Sequence, residues 1–487
     1  MTSATRPDAP STNRWAALLV LCAGVLMIVL DMTIVNVALP SIQDDLGFSG
    51  ADLAWVVNAY LIAFGGLLLL AGRLGDLISR RGVFLAGLAV FTAASLACGL
   101  AQSGDMLVIA RFVQGAGGAL TAAVVLGMIV TLFPEPREQA KAIGVYAFVA
   151  SAGGAIGLLV GGVLTQALDW HWIFIVNVPI GLATAVATRR LIAHDTGAGL
   201  RGGADVPGAA LVTSALMLAV YTIVKPAAED GWGATSTLVC GAVALVLLAA
   251  FIVREATARS PLIPLRIFHS RTITGANVIQ ALAAAGMFGT FFLGSLFLER
   301  VLGYDALEIG LAFLPTCVLM GVVSLRGTDR LVMRFGARNT VIPGLALLLL
   351  GLALFARTPA DASFAADLLP ALALLGVGAG ICFPALMSLA MSDAAPQDAG
   401  LASGLVNTTA QVGGALALAV LATISSSHAD ALARGGAASA QALTGGFHLA
   451  AWIAAALVGV ALVIAVIVVP RPKNAPAPDA QVASAAA

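Results

Sequence analysis

Charge is the scarcest property of this chain, because only 10% of its 487 residues are Asp, Glu, Lys or Arg. An ordinary soluble domain carries roughly 25% charged residues, so the composition argues against a soluble protein. The 25 basic and 25 acidic residues cancel, which argues against a basic nucleic-acid-binding surface and predicts no nucleic-acid partner. Hydrophobic residues make up 60% of the chain, which is typical of a polytopic membrane protein.

Several chemical signatures are also missing. The five cysteines lie in apolar runs without a CxxC pair, and His and Cys do not cluster at metal-ligand spacing, so we expect no metal site. The sequence has no GxxxxGK[ST] loop, which argues against ATP as the energy source. A Ser-His-Asp set cannot be argued from residue order alone. We therefore expect a protein that is not an enzyme and that binds no cofactor.

The apolar runs are long enough to cross a bilayer, since a spanning helix needs roughly 20 apolar residues. Fourteen spans are predicted, at 15–38, 51–72, 82–102, 106–131, 141–165, 171–190, 206–224, 236–254, 273–298, 308–326, 339–357, 367–391, 400–425 and 446–469. One set of alternate loops and tails holds 20 of the 25 Lys and Arg residues, and the other set holds 4. Basic residues concentrate on the cytoplasmic side, so both termini are predicted to be cytoplasmic.

An internal repeat divides the chain. At an offset of 260, Gly144, Gly153 and Gly154 fall on Gly404, Gly413 and Gly414. Two parallel copies of a six-helix unit suit alternating access, with substrate bound near the midplane. The predicted organisation is a cytoplasmic N-terminal tail (1–14), a six-helix half (15–192), a linker with two inserted helices (193–272), a second six-helix half (273–469) and a disordered cytoplasmic tail (470–487).

A carboxylate interrupts the apolar stretch LMIVLDMTIVNVALP, Leu26 to Pro40. An ionised Asp31 is costly in hydrocarbon, so it is a functional hypothesis by default. Arg111 lies at a similar depth on the same side, at roughly 8 Å against roughly 12 Å for Asp31. We expect Asp31 to bind a proton and Arg111 to tune it. The alternatives are a fixed ion pair that specifies packing, and an Arg111 that extends to the interface.

Other polar residues in the apolar spans could line a substrate cavity or form hydrogen bonds between helices. They are Asn36, Gln114, Asn277, Gln280, Asn407 and Gln411. Glu299 ends the ninth span beside Arg300. We favour an ion pair between these two residues, and the alternative is a carboxylate that senses protons or a cationic substrate.

Three motifs resemble those of one family. GRLGDLISRRG (Gly72–Gly82), LVIARFVQGAGGA (Leu107–Ala119) and LDMTIVNVALP resemble motifs of the major facilitator superfamily, and of its fourteen-helix drug:proton antiporters. The resemblance covers roughly residues 15–470. It implies an all-α polytopic fold of 14 transmembrane helices (6 + 2 + 6) and a part for Arg111 in proton coupling.

The resemblance also implies which residues gate conformational exchange. They are Gly72, Asp76, Arg80 and Arg81 in the first motif, and Gly144, Gly153, Gly157, Gly161 and Gly162 in the fifth span. Gly72 permits a tight helix exit, and Asp76 can cap the next helix or pair with Arg80 or Arg81. The five glycines have the spacing of the antiporter signature, but Leu158 replaces its Pro. Small residues at helical spacing also simply allow close packing.

Together these features predict efflux of amphipathic drugs or antibiotics, driven by the proton-motive force, across the bacterial cytoplasmic membrane. The proton is then the coupling ion, and the partners are a small amphipathic substrate and the lipid bilayer. We expect the protein to work as a monomer. The alternatives are a proton-coupled transporter specific for one metabolite, which Leu158 favours, and a non-transporting membrane sensor.

Overall fold

The structure is a computed structural model that describes residues 12–49, 52–197, 199, 203–393 and 399–470. Apart from residues 12–14 and 470, the two predicted tails lie outside the described residues. The long helices of the described part are α1 Thr12–Leu46, α2 Ala54–Leu77, α3 Arg80–Cys98, α4 Gly104–Leu132, α5 Pro136–Ala167, α6 Asn177–Leu191, α7 Val206–Val224, α8 Thr235–Thr257, α9 Arg271–Arg300, α10 Ala306–Val323, α11 Ala337–Phe355, α12 Leu369–Ser392, α13 Ala399–Arg434 and α14 Ser439–Ile467.

The chain is an all-α multi-pass membrane protein with about 13 to 14 apolar helices. Within the described residues, 13 stretches of helix are long and apolar enough to cross a membrane by length and composition, and Ala152–Ala167 of α5 is a shorter apolar stretch. One-turn and irregular helices complete the set. A single turn, Trp172–Ile175, precedes α6, and π-helical segments at Ser324–Thr328 and Phe364–Leu368 follow α10 and precede α12.

Several helices are longer than the predicted spans. The helix α1 continues through Pro40 to Leu46, and α13 continues to Arg434, whereas the spans were predicted to end at 38 and 425. Hydropathy marks the part of a helix that lies in hydrocarbon. Backbone hydrogen bonds let the helix continue into polar surroundings, so apolar runs underestimate helix length.

Side-chain caps fix where several helices begin. Ser79, Ser103 and Ser270 precede α3, α4 and α9, and each hydroxyl accepts a hydrogen bond from a backbone N–H of the first turn. Asp305 and Glu308 form a reciprocal capping box at the start of α10. These caps satisfy N–H groups that have no partner within the helix, which sets the register of each helix against its neighbours.

Each of the two predicted six-helix halves contains long helices that pack against one another. In the first half, α4 packs against α2 and α3, and α1 packs against α5. In the second half, α11 packs against α12, and α9 packs against α13 and α14. The halves meet along α2–α13 and α5–α10. The inserted helix α7 contacts α8, α2 and α13, so it covers one of the two lines along which the halves meet.

Corresponding glycines in the two halves have the same packing role. A Cβ built at Gly115 of α4 would clash with the carbonyl oxygen of Tyr60 in α2, and one built at Gly376 of α12 would clash with that of Thr316 in α10. In each half, therefore, a glycine lets the fourth helix touch the backbone of the second. This agreement supports the repeat predicted from the sequence.

Basic residues gather at one end of the bundle, which we name the basic end and which holds Arg80, Arg254 and Arg338. At the opposite end, the halves are in contact. A Cβ built at Gly162 of α5 would lie 2.8 Å from the Ala306 carbonyl oxygen, and Gln166 donates a hydrogen bond to Asp305 at 2.9 Å. Toward the basic end of α5, a Cβ at Gly144 would meet no described heavy atom within 4 Å outside its own helix.

Candidate functional site

The site is built around a fully buried ion pair in the first half. Asp31 of α1 is 0% exposed and Arg111 of α4 is 1% exposed. Arg111 Nη1 donates to Asp31 Oδ2 at 2.6 Å. Breaking a buried pair by removing one partner is strongly destabilising, because a charge is left without compensation. The pair therefore ties α1 to α4 for as long as Asp31 is ionised.

Gln114 hydrogen-bonds both members of the ion pair. It lies on the same face of α4 as Arg111, because residues three apart are neighbours on a helix surface. Its Oε1 accepts a hydrogen bond from Arg111 Nη1 at 2.6 Å, and its Nε2 donates to Asp31 Oδ1 at 2.7 Å and to Ser95 Oγ at 2.8 Å. Asn177 Nδ2, at the start of α6, donates to Asp31 Oδ1 at 3.2 Å. Asp31 thus accepts three side-chain hydrogen bonds, which suits an ionised carboxylate.

The guanidinium of Arg111 is held on its other sides by α2 and by the turn before α6. Arg111 Nε donates to the Val56 carbonyl oxygen at 2.9 Å. Its guanidinium carbon lies 4.3 Å from the ring centroid of Tyr60 and 5.6 Å from that of Phe174, which are cation–π distances. Arg111 therefore faces the interior of the bundle, and the alternative in which it extends to the membrane interface is wrong.

Asp31 lies far from either end of its helix. Because α1 continues to Leu46, Asp31 lies roughly 22 Å from that end of the helix, at about 1.5 Å per residue. Six polar atoms of the first half are buried and have no hydrogen-bond partner among the described residues: both amide atoms of Asn58, Tyr60 Oη, Arg81 Nε, Thr165 Oγ1 and Asn177 Oδ1. Such atoms are costly when dry, and those of Tyr60 and Asn177 belong to residues that contact the ion pair, so the surroundings of the pair are polar enough to hold water.

Gln114, predicted as a cavity residue, is buried within the ion-pair network instead. On α9, Asn277 donates to the Ile273 carbonyl oxygen at 2.8 Å and accepts from Thr409 of α13 at 2.9 Å, which is the helix–helix alternative. Gln280 is nearly buried, and its Oε1 has no partner in the described part of the chain.

The other predicted cavity residues differ in exposure. Asn36 is half-buried and donates to the Met32 carbonyl oxygen at 3.0 Å. Asn407 is exposed, and Gln411 is half-buried where α13 meets Gly65 of α2. The structure thus brings Gln411 to the interface between the halves, apart from the Asp31 cluster.

The predicted ion pair between Glu299 and Arg300 is wrong. Arg300 Nη2 instead contacts Asp44 of α1, across the two halves at the opposite end. Adjacent residues point to different sides of a helix, so the side chain of Arg300 reaches Asp44 while that of Glu299 points away from it. Glu299 is half-buried, and its alternative role is left open by the geometry.

The loop between α2 and α3 is held by Arg80 rather than by a glycine. Arg80 Nη2 lies 2.9 Å from Asp76 Oδ1, and its Nη1 donates to the Gly127 carbonyl oxygen of α4 at 3.1 Å. Arg81 Nη2 donates to the Arg189 carbonyl oxygen of α6 at 3.0 Å. Asp76 therefore pairs with Arg80 and does not cap α3. Gly72 lies inside α2, so it makes no tight helix exit, because α2 extends to Leu77.

A residue that sequence reasoning missed, Asp195, secures this loop. Its carboxylate accepts hydrogen bonds from Ser79 Oγ at 2.6 Å and from the backbone N–H groups of Arg80 and Arg81 at 2.7 and 3.1 Å. Partial burial raises the pKa of Asp195, but the three hydrogen bonds outweigh it and lower the pKa below its usual value. The segment after α6 is thereby fastened to the N-terminus of α3.

Four of the five glycines of α5 allow close contact with neighbouring helices. A Cβ at Gly153, Gly157 or Gly161 would press on α1, and one at Gly162 would press on α10. Gly144 has open space and makes no such contact with a described residue. Leu158, in place of the signature Pro, is buried, and its carbonyl oxygen lies 2.5 Å from a Cβ built at Gly310.

No group of three or more His, Cys, Asp or Glu side chains suited to a metal ion occurs among the described residues. The buried, charged network of Asp31, Arg111 and Gln114 lies within a bundle of apolar helices. A family model, the Major Facilitator Superfamily, matches residues 21–418. The chain belongs to this superfamily.

Two of its relatives are a resistance protein and an export protein. The chain is 38% identical over 373 residues to the puromycin resistance protein pur8 of Streptomyces alboniger, covering 76% of this chain and 74% of that protein. It is 38% identical over 381 residues to the cephamycin export protein CmcT of Amycolatopsis lactamdurans, covering 78% of each. Among solved structures, a bacterial homologue of the human lysosomal transporter Spinster covers 96% of this chain and 100% of that one, with a TM-score of 0.67 at 17% identity, which supports the fold.

Proposed function

We propose that this protein exports amphipathic drugs or antibiotics in exchange for protons, by alternating access across the bacterial cytoplasmic membrane. The observation that carries the proposal is the buried network of Asp31, Arg111 and Gln114 in the first half. The relatives named for resistance and export of antibiotics support the substrate class. The superfamily as a whole transports small solutes between two packed halves.

In this mechanism, the proton and the network compete for Asp31. With Asp31 ionised, three hydrogen bonds tie α1 to α4 and α6. A proton on Asp31 removes its charge and one acceptor position, and the pairing with Arg111 weakens. Arg111 keeps Gln114 and the Val56 carbonyl oxygen as hydrogen-bond partners, but its buried charge is then uncompensated, which favours a rearrangement that admits water. Protonation thereby frees α1 to move relative to α4.

The orientation and the number of spans belong to the same proposal. With fourteen spans and both termini in the cytoplasm, the basic end faces the cytoplasm and the contacts at the opposite end close the outer side. The described conformation then corresponds to a state closed to the outside. Asp31 has no exposed surface in it. Opening of the outer side would separate Arg300 from Asp44 and bring water to Asp31, which then takes up a proton.

Substrate would bind between the halves. Gln280, Asn407 and Gln411 are the side chains we propose for contacts there, since they lie on the helices α9 and α13. Few carboxylates lie within the spans, so Asp31 is nearly the only counter-charge for a cationic substrate. A monomer suffices for this cycle, because both halves belong to one chain.

A specific exporter of one metabolite is the second candidate, and the replacement of the signature Pro by Leu158 favours it. A panel of structurally unrelated antibiotics separates the two. The chain is expressed in a strain that lacks its own efflux pumps, and resistance is measured with and without a protonophore. Resistance to several classes, abolished by the protonophore, supports a multidrug exporter, and resistance to one class supports the specific one. Unchanged susceptibility to every compound contradicts both.

A further inference from the structure

The inserted helix pair carries two buried carboxylates that have no part in the proposed transport cycle. Asp205 directly precedes α7, and Glu255 lies in the last turn of α8. Each is only 3% exposed, and both lie at the basic end. A buried carboxylate is costly unless its oxygens have hydrogen-bond donors, so each of these four oxygens is expected to have a donor.

One oxygen of each carboxylate is satisfied. Asp205 Oδ1 accepts from the backbone N–H of Gly208 at 3.1 Å, which caps α7, and from Arg254 Nε at 3.0 Å. Glu255 Oε2 accepts from the backbone N–H of Ile263 at 2.8 Å, which holds the loop after α8. These bonds explain why each side chain is present, but they leave half of the acceptor atoms without a partner.

The remaining two oxygens face the same point. Asp205 Oδ2 and Glu255 Oε1 are buried and have no hydrogen-bond partner in the described structure. A Cβ built at Gly208 would lie 2.6 Å from Asp205 Oδ2 and 3.0 Å from Glu255 Oε1. The two unpartnered oxygens therefore flank the open side of one glycine, and any side chain there would displace them.

The surroundings make two ionised carboxylates costly. Leu70 of α2, Ala209 of α7 and Leu262 of the following loop form an apolar cluster around the site. The cation that contacts the carboxylates is Arg254, whose side chain is 44% exposed. From α2, Arg73 approaches the same end, and its Nε donates to the Gly203 carbonyl oxygen at 3.4 Å. With both carboxylates ionised and Arg254 paired, one negative charge remains uncompensated at the site.

We propose that Asp205 and Glu255 share one proton, so that the inserted helix pair contains a second proton-binding site. A hydroxyl on one carboxyl group then donates to the unpartnered oxygen of the other, and both orphan oxygens are satisfied by one bond. Together with Arg254, the protonated pair is neutral. The proposal does not depend on the transport function and holds whether or not Asp31 couples to substrate.

The shared proton links three elements at the basic end. Asp205 directly precedes α7, Glu255 lies in the last turn of α8, and Ile263 lies in the loop that follows. Loss of the proton therefore leaves two like charges where these three elements meet. The helix α7 also contacts α2 and α13, along which the two halves meet. The packing of the inserted pair against both halves is therefore expected to weaken as the cytoplasmic pH rises.

Infrared spectroscopy of the purified full chain detects a protonated carboxyl group by its C=O stretching band. We expect Glu255→Gln to remove one carboxylic-acid band at neutral pH, and the exposed Asp361→Asn to remove none. The amide of Glu255→Gln can still donate to Asp205, so its thermal stability should match that of the wild type at neutral pH and no longer fall as the pH rises. Glu255→Ala should unfold at lower temperature at every pH.

Two results overturn the proposal. The first is a carboxylic-acid band that Glu255→Gln leaves unchanged. The second is a wild-type stability that follows the sodium concentration and not the pH, which would make this a cation site. Asp205→Asn gives a further test that does not depend on whether Glu255→Ala folds. Like Glu255→Gln, it supplies one amide donor, so it should remove the carboxylic-acid band and the pH dependence of the stability. An Asp205→Asn variant that retains both contradicts a shared proton.

Discussion

Removal of the Arg111 side chain should destabilise the first half far more than removal of both members of its ion pair. In Arg111→Met, Asp31 keeps only the hydrogen bonds from Gln114 and Asn177, and its charge stays buried. Breaking such a pair costs about 3–5 kcal/mol. For a unit the size of one half, that lowers the unfolding temperature by roughly 6–20 °C.

The double variant Asp31→Asn with Arg111→Met removes both charges, so most of this loss should be recovered, with a coupling energy of at least about 2 kcal/mol. Arg111→Lys retains the charge but loses the bond to the Val56 carbonyl oxygen, and should cost an intermediate amount of about 1–3 kcal/mol.

Thermal unfolding of the detergent-purified protein can be followed with a thiol-reactive dye, because four of the free cysteines are buried: Cys22, Cys98, Cys317 and Cys382. The matched control is Arg434→Met, an exposed arginine at the end of α13, which should unfold like the wild type. The reasoning is refuted if Arg111→Met is as stable as that control, or if the double variant is no more stable than the single one.

Three further predictions concern the loop, the opposite end and the glycines. Asp195→Ala should lower stability at neutral pH by roughly 1 kcal/mol, the size of a lost helix cap, and because the pKa of Asp195 is lowered, wild type and variant should converge as the pH falls through it in thermal-unfolding scans. Arg300→Ala breaks an ion pair whose side chains are 34% and 60% exposed, so it should lower the free energy of unfolding by under about 1 kcal/mol. It should nevertheless increase maleimide labelling of Ser425→Cys, because Ser425 lines the adjacent cavity of about 550 Å³. Gly157→Ala presses on α1 and should cost about 1–3 kcal/mol in the same unfolding assay, whereas Gly144→Ala should be close to neutral.

The partnership of Asp31 and Arg111 could be predicted because charged residues are so rare within the spans. Each lone charge in hydrocarbon needs a partner, and topology placed these two on the same side at similar depth. Gln114 was predicted as a cavity residue, although its spacing of three residues from Arg111 on α4 was a signal that the two side chains are neighbours. The roles assigned to these residues stay predictions, since proximity does not report a proton.

Other contacts depended on tertiary packing that local sequence does not encode. Asp195 lies in a polar segment, and nothing in its neighbours indicates that it reaches the N-terminus of α3. Asn177 lies in WHWIFIVNVPIG, where a polar residue within an apolar run was the one available signal. Arg300 was assigned to the adjacent Glu299 because Asp44 belongs to a part of α1 that the apolar pattern did not include.

The central claim is that Asp31 carries the coupled proton. The most direct test is stopped-flow detection of proton release when a transported antibiotic is added to the purified protein in weakly buffered detergent solution, with Asp31→Asn compared with the wild type. We expect the wild type to release protons and Asp31→Asn to release none, even where the variant still binds the antibiotic. Undiminished substrate-driven proton release by Asp31→Asn would contradict it.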